Sequence, residues 1–218
     1  MQQWQKELTA LLGNKVRFDF TERLVYSYDM GILPDAVRKT IKPLPDAVAQ
    51  PESWEEISSI LAIANQYRLP VVPRGSASSG YGGPVPAKGG LSLDLVRMNR
   101  ILQIDTQAQT VTVEPGVIWE QLNNALANQG LTLKLYPTSA PSATVGGWLA
   151  QGGTGIGSYA HGHVDSCVQS LKVLLPHGQI VTAGPTEIWK YIGLEGTTGI
   201  IVEATIKVDP LEEKKPLA

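Results

Sequence analysis

Pro73-Arg74-Gly75-Ser76-Ala77-Ser78-Ser79-Gly80-Tyr81-Gly82-Gly83 and, further along, Pro137-Thr138-Ser139-Ala140-Pro141-Ser142-Ala143-Thr144-Val145-Gly146-Gly147 are the two stretches on which the fold turns. Each lies at the seam of a strand pattern and a helix pattern. Both combine absent side chains with short hydroxyls. Glycine lets backbone N–H groups approach a ligand closely, and Ser or Thr hydroxyls can donate to phosphate oxygens. A third segment, Glu195-Gly196-Thr197-Thr198-Gly199-Ile200-Ile201, has the same character. One such loop reads equally as a surface turn. Three in one chain imply a long cofactor held along its length.

The elements around these loops mix helix and strand. Ser53 and Glu56 form a capping-box pattern ahead of Ile57, Ile60, Leu61 and Ala64, which recur at helical spacing. A short apolar strand, Leu69–Val72, delivers the chain into the first loop. Strands are expected at Gly90–Leu95, Ile101–Asp105 and Thr110–Glu114, the last two as a hairpin. A helix Ile118–Asn128 ends before Gly130, and a short one starts at Thr144. Val168–Leu175 and Gln179–Ala183 read as a second hairpin turned at His177-Gly178. A helix Thr186–Ile192 and a strand Ile200–Val208 close the pattern. Leu8, Leu11 and Leu12 give the N-terminal helix a weak apolar face. Strands and helices do not alternate regularly, so the class is α+β and not a doubly wound sheet.

The 218 residues fit one large domain or two small lobes. Charged residues make up 17%, with 22 Gly and 15 Pro, a balance that suits a turn-rich fold and excludes a coiled coil. A formal net charge of -2 gives no electrostatic reason to expect nucleic acid. No apolar run approaches the roughly 20 residues of a membrane span, and the N-terminus lacks the apolar core of a secretory signal. A cytoplasmic protein is the expectation. The single cysteine, Cys167, excludes an internal disulfide and reads as a small buried hydrophobe.

Neither standard nucleotide signature occurs: there is no Gly-Lys-Ser/Thr, and Gly153, Gly155 and Gly157 are spaced wrongly for a dinucleotide fingerprint. His161 and His163 are not joined in sequence by the cluster of further ligands that a metal site declares, and fit a ligand-pocket lining better. Metal: none is expected. No catalytic acid, base or nucleophile can be assigned from residue order. Glu195 either caps a helix or accepts from a ligand hydroxyl.

With the loops placed, the chain resembles the flavin-binding domain of the p-cresol methylhydroxylase (PCMH) / vanillyl-alcohol oxidase superfamily, most of all its glycolate oxidase D-subunit and D-lactate dehydrogenase branch. The resemblance runs through Pro51–Ile57, Val71–Gly75 with Gly82-Gly83, Val111–Val117, Thr144–Gly147 and Glu195–Thr205, in that order. It implies a two-lobed α+β PCMH-type FAD-binding domain over residues 45–210, with lobes at about 45–105 and 106–210. An N-terminal helix and extended arm (1–44) would precede it, and a tail (211–218) would lead toward a missing substrate cap. FAD would be contacted by Pro73, Arg74, Gly75, Ser76, Ala77, Ser78, Ser79, Gly80 and Tyr81. Pro137, Thr138, Ser139, Ser142, Thr144, Gly146, Gly147, Ser158, Tyr159, Glu195, Gly199, Ile200 and Ile201 complete the expected set. Ala77 and Ser78 stand where the family often has Gly and Thr, and Ala77 is expected at negative φ or under mild strain. No His or Cys stands at the family's tethering positions, so FAD is expected to be noncovalent. The implied function is a 2-hydroxy acid oxidoreductase acting on a small-molecule substrate. The rivals are a non-catalytic flavin-carrying subunit and an enolpyruvyl-sugar reductase-like enzyme.

Overall fold

A computed structural model describes residues 1–212 as an α+β protein built on two sheets. In chain order its elements are α1 (Gln3–Leu12), β1 (Val16–Arg17), α2 (Phe20–Val25), α3 (Asp35–Arg38), β2 (Ala47–Ala49), α4 (Trp54–Tyr67), β3 (Val71–Arg74) and β4 (Leu91–Asp94). Then come β5 (Ile101–Asp105), β6 (Thr110–Val113), α5 (Trp119–Ala127), β7 (Leu131–Leu133), α6 (Val145–Gln151), α7 (Ser158–His161), β8 (Val168–Leu174), β9 (Ile180–Ala183) and β10 (Ile200–Pro210).

The first sheet runs β1-β2-β4-β3, with β2 and β3 both parallel to β4 and β1 antiparallel at the edge. Parallel neighbours need a crossover, and α4 supplies it between β2 and β3. Ile57, Ile60, Leu61 and Ala64 are buried as their spacing predicts. Ser53 Oγ accepts from the Glu56 N–H, while Glu56 Oε2 accepts from the N–H of Glu52, one residue earlier than a strict capping box. The α1 face that packs is Trp4, Leu8 and Leu12; Leu11 points outward at 36% exposure.

The second sheet is antiparallel, β5-β6-β10-β8-β9, with β7 pairing the far end of β10. β5, grouped with the first lobe in the sequence pattern, pairs with β6 in this sheet. The long β10 ties the halves together. Ile200 and Val202 at its start pack into the core of α1, α4 and the first sheet, while Ala204, Ile206 and Val208 pack into the second core. Trp119 and Trp148 meet edge-on there at 5.2 Å.

Two expected elements differ. The strand after α4 starts at Val71, because the Leu69 N–H is spent closing that helix on Ala64 O at 2.8 Å. The expected helix Thr186–Ile192 is only a 3₁₀ turn, Ile188–Lys190. The Trp189 indole donates to Thr186 O at 3.0 Å, and the Lys190 N–H goes to Glu187 O instead. Cys167 is buried. Among the described residues no helix is long and apolar enough to cross a membrane. The expected tail falls mostly outside the described residues.

Candidate functional site

β3 ends at Arg74 and feeds the loop beginning at Gly75 straight toward the N-terminus of α6. Thr144 caps that helix, its Oγ1 accepting from the Gly147 N–H at 3.2 Å. Gly75 is glycine for a reason of packing: a Cβ there would lie 2.2 Å from Thr144 Oγ1. Gly146 is glycine because a Cβ would lie 2.5 Å from Cβ of Pro115. At Gly75 the bare backbone of the first half thus lies against Thr144 and Gly147 of the second, and a cleft opens on either side of that contact.

One side of the cleft, a cavity of about 70 Å³, is lined by Gly75, Ser76, Ala77, Ser78, Ser79, Ser139, Thr144, Gly147 and Glu195, with Trp148 and Gln151 from α6. The other, a cavity of about 50 Å³, is lined by Pro73, Arg74, Gly75, Thr144, Gly146, Gly147, Glu195, Gly199, Ile200 and Ile201, with Leu95 and Pro115. All three sequence segments converge here.

The backbone donors are unevenly available. Gly146 N–H is bonded to Pro115 O at 2.8 Å, Val145 N–H to Val117 O at 2.8 Å, and Glu195 N–H to Ala150 O at 2.8 Å. The first turn of α6, whose Gly147 N–H goes to Thr144 Oγ1, thus offers a ligand close approach but no free N–H at positions 145–147. Among the described residues, the N–H groups of Ser76, Ala77, Ser78 and Ser79 donate to no protein acceptor. Four successive donors thus stand free beside the Ser76 and Ser78 hydroxyls, which lie 3.5 Å apart. Ala77 takes φ +53, the left-handed region in which an alanine is strained.

Arg74, the one cation among the described residues that line the cleft, is already engaged. Its Nη1 donates to Tyr28 O at 2.9 Å and its guanidinium lies 4.9 Å from the centre of the Tyr26 ring. Burial lowers its pKa, yet an arginine stays cationic. Glu195, also at positive φ, reaches across the first loop to Gly83. Burial, and then the charge of Asp29, push its carboxyl above the ordinary value.

The remaining expected residues lie outside the lining. Tyr81 is 78% exposed and Tyr159 fully exposed. Ser158 Oγ accepts from the Gly155 N–H at 2.8 Å, and Ser142 Oγ donates to Ser139 O at 3.3 Å. Gly80, Pro137 and Thr138 flank the cleft in sequence without lining it. His161 and His163 face Asp209 and Asp165, at 3.8 and 3.0 Å, and do not line the cleft either. No group of three or more metal-ligating side chains forms among the described residues. Trp148 and Gln151 had gone unread in the sequence. Their signal was helical spacing, since they follow Thr144 by four and seven positions and share its face.

A family model described as an FAD binding domain matches residues 45–184. The chain is 37% identical to the glycolate oxidase subunit GlcD of Bacillus subtilis, across 96% of this chain and 46% of that protein. It is 33% identical to a mitochondrial D-lactate dehydrogenase (cytochrome) of Arabidopsis thaliana, across 97% of this chain and 38% of that one. A solved alkyldihydroxyacetonephosphate synthase superposes with a TM-score of 0.84 at 30% identity, over 95% of this chain and 43% of the synthase. The chain spans less than half the length of these relatives.

Proposed function

The chain belongs to the FAD-binding domain family of PCMH type, and from that premise we propose that it is the flavin-holding part of an oxidoreductase acting on a 2-hydroxy acid such as glycolate or D-lactate. FAD is its cofactor. The residues fit that group. The run of unpartnered N–H groups at Ser76–Ser79, flanked by hydroxyls and free of acidic side chains, suits a diphosphate. We assign the diphosphate to Arg74–Gly80, with Pro73 and Tyr81 at its edges. The remainder of the molecule goes to Ser139, Thr144, Gly146, Gly147, Glu195, Gly199, Ile200 and Ile201. Pro137, Thr138, Ser142, Ser158 and Tyr159 would reach it only from outside the present lining. When bound, the flavin supplies acceptance of a hydride from the substrate.

The observation that carries the division of labour is the state of Arg74. A 2-hydroxy acid presents a carboxylate, which needs a cation to hold it. Arg74, the one arginine among the described residues that line the cleft, is committed to Tyr28 and Tyr26. We therefore place the carboxylate clamp and the base on another polypeptide segment, either the part by which relatives exceed this chain or a partner subunit. A reducing compartment such as the cytoplasm suits the lone buried Cys167 thiol.

The test is anaerobic mixing of the FAD-loaded 218-residue chain with D-lactate and with glycolate, following the flavin's blue absorption band. Slow or absent bleaching is expected from the chain alone, and rapid bleaching once the complementing segment is supplied. Rapid bleaching by the chain alone refutes the division of labour. Reduction by NADPH and by neither acid refutes the substrate class and favours the sugar reductase-like alternative.

A further inference from the structure

The loop that carries the free donors does not hold itself in place. Its underside rests on residues 26–31, which lie before the matched family span and which the sequence pattern left as an extended arm. Met30 N–H donates to Ser79 O at 3.1 Å. Gly31 lies against Gly80 so closely that a Cβ at position 31 would come within 2.4 Å of Gly80 O. Arg74, at the loop's start, donates to Tyr28 O, as described above. Asp29 joins the loop's far end: its Oδ2 accepts from the Gly82 N–H at 2.7 Å and its Oδ1 from the Gly31 N–H at 2.9 Å. Tyr26 fastens this strap to the first sheet, its hydroxyl donating to Asp94 Oδ2 at 2.6 Å beside the last residue of β3.

We propose that Asp29 is a positioning residue for the cofactor, and that the strap Tyr26–Gly31 is an integral wall of the FAD site. The proposal rests on the FAD reading of the loop Arg74–Gly80. Four successive N–H groups without protein partners gain nothing from folding inward, and the strained Ala77 opposes the arrangement. A loop of this kind stays ordered only if something outside it fixes both ends. The Asp29 carboxylate is 7% exposed and spends one oxygen on the strap and one on the loop, so both bonds are charge-assisted and shielded from water. Asparagine in its place keeps the size but offers a single acceptor oxygen. One of the N–H groups then faces an NH₂, and the clamp opens.

The experiment compares FAD affinity by flavin-fluorescence titration in the wild-type chain, Asp29→Asn, Gly31→Ala and the control Ile32→Ala, which lies outside the strap with its side chain 93% exposed. Asp29→Asn and Gly31→Ala should weaken FAD binding about tenfold or more, the size of a lost charge-assisted hydrogen bond, and Ile32→Ala should not. At saturating FAD the ³¹P resonances of the bound diphosphate should move or broaden in both variants while the flavin's visible spectrum stays unchanged. Hydrogen exchange in the cofactor-free variants should accelerate at amides 76–83 and not along β10. Should Asp29→Asn also lower the urea midpoint of the whole chain, Gly31→Ala decides, because it leaves that carboxylate in place. Wild-type affinity and unmoved ³¹P resonances in Gly31→Ala overturn the proposal. A wild-type chain that takes up no FAD overturns the FAD reading and this inference with it.

Discussion

Gly75→Ala tests how the two halves of the molecule meet. Gly75 is not at positive φ, so alanine fits its backbone, and the whole cost comes from what the new methyl group meets. That is Thr144 Oγ1 at 2.2 Å, with Thr144 Cβ at 3.4 Å and Gly147 Cα at 3.5 Å. The last two are ordinary contacts; the first is not. Thr144 must swing away, which forfeits the cap of α6 at about 1 kcal/mol. Residual overpacking adds about 1–3 kcal/mol. The substitution should therefore cost the cofactor-free chain about 2–4 kcal/mol in urea denaturation. Thr144→Ala alone should cost about 1 kcal/mol. In the double variant the offending oxygen is gone, so Gly75→Ala should become nearly free once Thr144→Ala is present. Contacting sites show such non-additivity, and separated ones do not. Additive costs would refute the contact and return Gly75 to being a glycine for the ligand's sake.

Ala77→Gly should stabilise the chain by about 0.5–1 kcal/mol, the strain of an alanine at φ +53 less the added freedom of glycine when unfolded; a lower urea midpoint would contradict it. Glu195→Gln should change how stability depends on pH. A carboxyl whose folded pKa lies above 4.5 contributes stability that is present below that pH and lost as pH rises through the folded value. The variant should lack that loss above about pH 4.5 in cofactor-free denaturation, and an unchanged pH profile would show that Glu195 is solvated.

Much of the fold was legible because its signals are local. The spacing of Ile57, Ile60, Leu61 and Ala64 with Ser53 before them marks α4, and the hairpins β5–β6 and β8–β9 declare themselves by short turns. The three-residue β2 was not legible, since Ala47, Val48 and Ala49 are all buried and show no alternation. Nor was β7, whose pairing with Val208–Pro210 joins residues distant in sequence. The same limit applies to the site. The glycine-rich segments announce a ligand, but which N–H groups are free depends on Pro115, Val117 and Ala150 taking the others. The role of Asp29 depends on Gly82, far along the chain. Glycine and serine counts cannot distinguish a glycine kept for a cofactor from Gly75, kept for Thr144.

The measurement that bears most directly on the account is the identity and attachment of the cofactor. The purified yellow chain is precipitated with acid, and the supernatant and pellet are analysed by mass. The account predicts intact FAD in the supernatant in stoichiometric amount, with no flavin left on the protein. FMN in its place, flavin retained in the pellet, or a colourless protein that takes up no added FAD would contradict it.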